Sequence, residues 1–238
     1  MKTVIHPASE RGGADFGWLN ARHSFSFGQY HNPGKVHFGA LRVLNDDIVK
    51  GGGGFPAHPH DNMEIVTIPL RGALAHKDST GGEGAIRSGD IQIMSAGTGI
   101  KHSEFNASQT EDVNLLQVWV FPKLNDIEPR YDQKTFDVAN RQNSWQIVVS
   151  PEDKDGELWI NQDAQFALTN LDADKEISYN VKFKGNGVYL FVIEGSIKID
   201  NETLSKRDAA GISDTDHFVV QALQPSQLLA IEVPMSND

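Results

Sequence analysis

Apolar and polar positions alternate along much of this chain with a period of two, as they do in β-strands with one buried face. In "NLLQVWVFP" (114–122), Leu116, Val118 and Val120 fall on one face, and Leu115, Gln117, Trp119 and Phe121 on the other. Similar short runs recur at 38–44, 64–70, 72–78, 90–96, 145–151, 187–200, 217–223 and 227–234, divided by Gly, Pro, Asn and Asp. That pattern predicts an all-β chain built as a sandwich or barrels. The Gly-rich stretch 78–90 reads as a hairpin loop. Pro69, inside an apparent strand, predicts an edge or a bulge. A turn or short helix is expected within 152–165.

The two halves echo each other. "EIVTIPLRGALAHKD" and "VYLFVIEGSIKID" each run strand, charged residue, Gly, strand, with Gly72 and Gly195 in corresponding places. This predicts an internal repeat of two barrels. The polar segment 125–145 is the expected joint, with domains at 1–134 and 135–238.

The chemistry is concentrated in the first half. His58 and His60 stand two apart in "GGFPAHPHDNMEI" (53–65), so on an extended strand both project to one side. Pro56 and Pro59 restrict that backbone to extended conformations. "GTGIKHSEFN" (97–106) repeats the spacing with His102 and Glu104. Two such pairs on facing strands make a three-histidine, one-carboxylate metal site. Such donors suit Fe(II), Mn(II), Ni(II), Cu(II) or Zn(II), and spacing does not choose among them. Four protein ligands leave a six-coordinate metal two open positions. His23, His31, His37 and His76 are assigned structural or surface roles. His6 is near the terminus, and His217, in the second half, has no paired histidine. Asp61, Asn62 and Glu64 are candidates to orient the imidazoles. Phe25, Phe55, Met63 and Met94 are candidates to line a pocket.

Composition narrows the chemistry. The chain of 238 residues has no cysteine, which excludes disulfides and thiolate ligands or nucleophiles. Its formal net charge of -11 repels phosphate backbones, so direct nucleic-acid binding is disfavoured. No apolar run approaches the roughly 20 residues of a spanning helix, so no membrane contact is expected. The first residues carry no apolar signal region, which predicts a cytoplasmic protein.

"GGGFPAHPHDNMEI" resembles the first cupin motif, with Gly52, His58, His60 and Glu64 at its spacing. "SGDIQIMSAGTGIKHSEFN" resembles the pirin form of the second motif, and "RGGADFGWLNARHSFSFGQYHNPGKVHFGALRVLNDDIV" is similar to bacterial pirin-like proteins. The resemblance is close over residues 2 to about 134 and looser beyond. It implies a bicupin of two stacked β-barrels, with one metal in the N-terminal barrel held by His58, His60, His102 and Glu104. Fe(II) is the metal first expected. Glu64, the ligand of most cupins, is expected behind the ligands in this pattern. Ser95 stands where many cupins have Pro, a pirin-like variation. The implied activity is a quercetin 2,3-dioxygenase-like oxygenase, acting with O2 on a flavonol or another enolic or phenolic aromatic compound. Glu104, or Glu64, would be the base for the 3-hydroxyl proton. The alternative implied by the family is a non-enzymatic regulator that binds a transcriptional or metabolic protein partner. A zinc hydrolase or isomerase is disfavoured, since no Lys/Arg clamp lies near the ligands.

Overall fold

The computed structural model describes residues 1–152 and 156–236. Of the expected 152–165 element, residues 153–155 lie outside the described residues, and the rest contributes a two-residue strand, Leu158–Trp159. The fold is nearly all-β, with two short 3-10 turns at Ala8–Glu10 and Val138–Arg141. Among the described residues no helix is long and apolar enough to cross a membrane.

The first half contains β1 (Lys2–His6), β2 (Gly12–Asp15), β3 (Leu19–His23), β4 (Leu41–Val49), β5 (Gly54–His60) and β6 (Glu64–Arg71). It continues with β7 (Ala73–Asp78), β8 (Glu83–Arg87), β9 (Asp90–Ser95), β10 (Ile100–Asn106), β11 (Val113–Val120) and β12 (Arg130–Thr135). The second half contains β13 (Gln146–Ser150), β14 (Leu158–Trp159), β15 (Gln165–Leu171), β16 (Glu176–Asn180) and β17 (Asn186–Glu194). β18 (Ser196–Ile199), β19 (Glu202–Ser205), β20 (Ala209–Ser213), β21 (His217–Ala222) and β22 (Ser226–Pro234) complete it.

Each half pairs a seven-stranded with a four-stranded sheet. The first has β12-β9-β6-β11-β4-β3-β2 and β5-β10-β7-β8, the second β1-β20-β17-β22-β15-β13-β14 and β16-β21-β18-β19. β1 lies outside the division expected at 134/135, because it adds to the second half's sheet beside β20. The expected loop at 78–90 and the expected joint at 125–145 each contain a strand. β8 lies inside 78–90, and β12 forms the edge beside β9 within 125–145. β12 has no buried residue, so its sequence lacks the apolar alternation that marks the inner strands.

The alternation on β11 sorts its residues as the pattern predicts. Leu116, Val118 and Val120 enter a cluster that also holds Phe166, Leu168, Phe191 and Ile231, so the two seven-stranded sheets share one core. At Pro69 the β6–β11 register shifts, as a bulge requires. Gly72 and Gly195 each lead from a seven-stranded sheet into a four-stranded one at positive φ, 79° and 92°. A Cβ at Gly195 would collide with Ser226.

The inward faces differ between halves. In the second half, Val188, Leu190, Val192, Ile197, Phe218, Val220 and Leu228 fill the space between the sheets. In the first, a polar row crosses the large sheet in register: His23, Asn45, Gln117, Thr67 and Gln92 on β3, β4, β11, β6 and β9. That row faces the strands that carry the paired histidines.

Candidate metal centre

β5 and β10 are neighbours in the small sheet, not strands facing across the interior, and His58 sits directly opposite His102. His60 follows His58 on the same face. The three imidazoles converge, with ring centroids 4.4 Å apart for His58 and His102 and 4.9 Å for the other two pairs. His58, His60 and His102 each offer a ligand atom within 4.8 Å of the others. Gly54 allows the close approach of β5 to β10, since a Cβ there would overlap Phe105 and the Glu104 carbonyl.

A register shift separates His102 from Glu104 on the β5 side. On the β7 side the ladder is regular, so Glu104 pairs with His76 and His102 with Asp78. Glu104 points across to the large sheet, where Oε2 accepts a 2.9 Å hydrogen bond from Gln117 Nε2. A second donor group, His76, His102 and Glu104, is wholly buried and overlaps the first at His102. Glu104 thus lies with His102, but its closest histidine company also includes His76, which the sequence reading assigned to structure or surface. His76 Nε2 donates to Asp78 Oδ2 at 2.8 Å, leaving buried Nδ1 without a partner among the described residues. The missed signal was a third i, i+2 pair on a strand, His76-x-Asp78.

The residues fit a divalent metal. Both ring nitrogens of His102 and Oε1 of Glu104 are buried with no partner among the described residues. Buried polar atoms are seldom left so in native proteins, and a cation would satisfy Glu104 Oε1 and one nitrogen of His102. His58 Nδ1 donates to the Pro56 carbonyl at 2.8 Å, which turns the lone pair of Nε2 outward for a ligand bond. Burial lowers His60 to about 4 and His102 to about 3, each reinforced by the charge of His58. Both are therefore neutral at pH 7, the form that binds metal. Burial raises the Glu104 carboxyl above its ordinary range, against the hydrogen bond from Gln117.

Other expected neighbours do different work. Glu64 lies on the opposite face of β6 from Thr67 and so turns away from the centre. Its Oε2 accepts from Ser95 Oγ at 2.8 Å and from Asn161 N at 3.1 Å, joining the two halves. It is the residue expected as a base or as a support behind the ligands, and the hydrogen bonds of its Oε2 run to Ser95 and to the seam. Asn62 braces Asp126 and does not touch an imidazole, and Asp61 is exposed.

A cavity of about 720 Å³ opens onto His58, His60 and Glu104. Its walls are aromatic, with Phe16, Phe27, Phe55, Tyr30 and Trp119, and its polar wall is His23, Asn45, Asp47 and Gln117. Of the four apolar candidates from the sequence, Phe55 lines it. Met63 and Met94 pack with Ile65 beside Trp119, and Phe25 belongs to the core between halves. His23 lines the cavity and bonds Asn45 at 2.9 Å.

Convergent imidazoles and a buried carboxylate, in the polar interior of a two-sheet β unit beside an aromatic cavity, define a protein of the metal-binding cupin type. The model of the Pirin family matches residues 5–120, and that of the quercetinase C-terminal cupin domain matches 147–233. The chain belongs to the pirin family. A protein of Escherichia coli (strain K12) named quercetin 2,3-dioxygenase is 39% identical over 230 residues, covering 97% of this chain and 98% of its own. The crystal structure of YhhW from Escherichia coli has a TM-score of 0.94 at 39% identity, covering 99% of both chains. The structure of bacterial pirin YhhW in complex with nickel(II), also from Escherichia coli, has a TM-score of 0.93 at 37% identity, covering 99% of this chain and 100% of that one.

Proposed function

We propose that this protein is a metal-dependent dioxygenase that opens the ring of a flavonol-like or other enolic or phenolic substrate with O2. In this reading the chain is a bicupin, with barrels over 1–134 and 135–238 apart from the exchanged β1. The observation that carries the proposal is the aromatic-walled cavity ending on His58, His60 and Glu104. It matches a planar aromatic compound with an acidic oxygen at one end. The names of the relatives point the same way.

His58, His60, His102 and Glu104 would hold one divalent transition metal, Fe(II) first, with Mn(II), Ni(II), Cu(II) or Zn(II) as the other candidates. The bound metal would supply Lewis acidity toward the enolic or phenolic oxygen. The protein does the rest. Glu104, its proton affinity raised by burial, would accept the substrate's hydroxyl proton at Oε1, which would have to loosen its hold on a bound metal to do so. Gln117 holds the other oxygen and fixes the carboxylate's orientation. Trp119 and Phe55 flank the imidazoles, with Trp119 4.9 Å from His60, and keep water from the reacting ring. The overall balance is flavonol plus O2 giving a depside plus carbon monoxide.

The test is quercetin turnover by metal-stripped protein reconstituted separately with Fe(II), Mn(II), Ni(II), Cu(II) and Zn(II), with His58→Ala alongside. Turnover with one metal, lost in the variant, is expected. Full metal loading without turnover for every metal would overturn the assignment.

A further inference from the structure

We propose that Asp47 reads a hydroxyl group on the body of the bound substrate and thereby sets which flavonol-like compounds the cavity accepts. The inference rests on the flavonol reading of the site and extends it to substrate choice.

The argument begins with two adjacent aspartates on β4. Asp46 is on the outer face and is fully engaged, with Arg11 at 3.7 Å, Arg207 at 3.4 Å and Asn114 at 2.8 Å. Asp47 is on the inner face, two residues from Asn45, and lines the cavity. It is 5% exposed, and its Oδ1 has no hydrogen-bond partner among the described residues. Its cross-strand neighbours are Ala21 and Leu115, members of an apolar cluster with Leu19 and Val113 against which Phe55 packs. A carboxyl group in such surroundings gains nothing from the fold. A buried polar atom without a partner costs stability, and its place in a cavity marks it as a group for a ligand.

The chemistry of the group fits a phenol. Burial pushes Asp47 up to about 8, with the charges of Asp46 and Glu104 adding to the effect. Near neutral pH it therefore holds a proton and both donates and accepts, as a phenolic hydroxyl does. Position supplies the selectivity. Asp47 stands on the large sheet, whereas His58, His60 and His102 stand on the small one. Asp47 and the histidines thus reach the cavity from opposite sheets, Asp47 as part of a polar wall with Asn45 and Gln117, alongside aromatic side chains. A ligand that satisfies both has an acidic oxygen at the histidines, a flat apolar middle and a further hydroxyl toward Asp47. Discrimination by such a buried group is large, because an analogue without the hydroxyl leaves it unpaired.

The test uses metal-loaded protein and measures binding by tryptophan fluorescence quenching. The ligands are quercetin and 3-hydroxyflavone, which lacks the additional ring hydroxyls. The proteins are wild type, Asp47→Leu and Asp47→Asn. Wild type is expected to prefer quercetin. The Leu variant should lose roughly tenfold in quercetin affinity and none for 3-hydroxyflavone, while Asn, which keeps a donor and an acceptor, should retain most of the preference. Melting temperatures should equal or exceed wild type, since an unpaired carboxyl has been removed. An unchanged quercetin to 3-hydroxyflavone ratio in Asp47→Leu would overturn the proposal alone. Destabilisation of both variants would make Asp47 structural and overturn it too. Failure of wild type to bind either flavonol would remove the flavonol reading and this inference together.

Discussion

Glu104 sits directly across from His76 in the β10–β7 pair, both side chains buried between the sheets of the first half. The pairing gives His102 two sets of donor neighbours: His58 and His60 on one side, His76 and Glu104 on the other. His76 is held in turn by Asp78, whose carboxylate takes hydrogen bonds from the Thr80 hydroxyl and amide and from the Gly82 amide. Burial alone would raise the Asp78 pKa. These hydrogen bonds, with that of His76, lower it on balance, so it stays ionised and anchors the ring.

His76 is therefore expected to contribute to metal affinity although it is outside the four expected ligands. His76→Ala is expected to weaken metal binding about 10- to 100-fold, the usual cost of losing a group that orients ligands. Competition against a chelator of known affinity measures this. An affinity equal to wild type would show that His76 serves packing alone.

Metal removal should destabilise the fold. At a metal concentration of about a thousand times Kd, the linkage is about 4 kcal/mol, so melting temperature should rise steeply with added Ni(II) or Fe(II). His102→Ala takes away the donor common to both groups. Its melting temperature is expected to be insensitive to metal, as differential scanning fluorimetry would report.

Glu64 carries a structural load. Glu64→Ala removes hydrogen bonds to Ser95 and Asn161 at the seam between the halves and should cost about 2–3 kcal/mol in urea unfolding. Metal stoichiometry, measured by elemental analysis, should be unchanged. Loss of metal from a folded Glu64→Ala protein would restore it to the centre.

Asp47 should leave a signature in the pH dependence of stability. Its folded pKa of about 8 exceeds the ordinary carboxylate value of about 3.9. Between those values the folded state holds a proton that the unfolded state has released, so the contribution of Asp47 to stability falls as pH rises from about 4 to about 8. Asp47→Asn has no such proton. The stability of the variant relative to wild type is therefore expected to increase across that window in metal-free protein, by denaturant titration at several pH values. A constant difference would place the folded pKa near its ordinary value.

Much of the centre was legible from spacing, because strand parity is a local property. Residues two apart share a face, so His58 with His60 and His102 with Glu104 could be grouped before any partner strand was known. The alternation on β11 and the glycines at 72 and 195 marked the repeated β plan in the same local way. Parity does not say which face meets which sheet. That Glu64 turns to the seam while Thr67 turns to the centre is decided by the second half, whose Asn161 lies 97 residues away and supplies its hydrogen bond. The meeting of His76 with Glu104 depends on the β7–β10 register, a pairing across 28 residues. Asp46 and Asp47 are adjacent in sequence, and the pleat turns one to arginines and the other to the cavity. β12 escaped notice because an edge strand buries too little to need an apolar pattern. The chain's sequence by itself determined the strands' inner alternation and the paired donors. The tertiary structure alone decided which donors meet and which carboxylates face them, because register and sheet-on-sheet packing join residues that no local period relates.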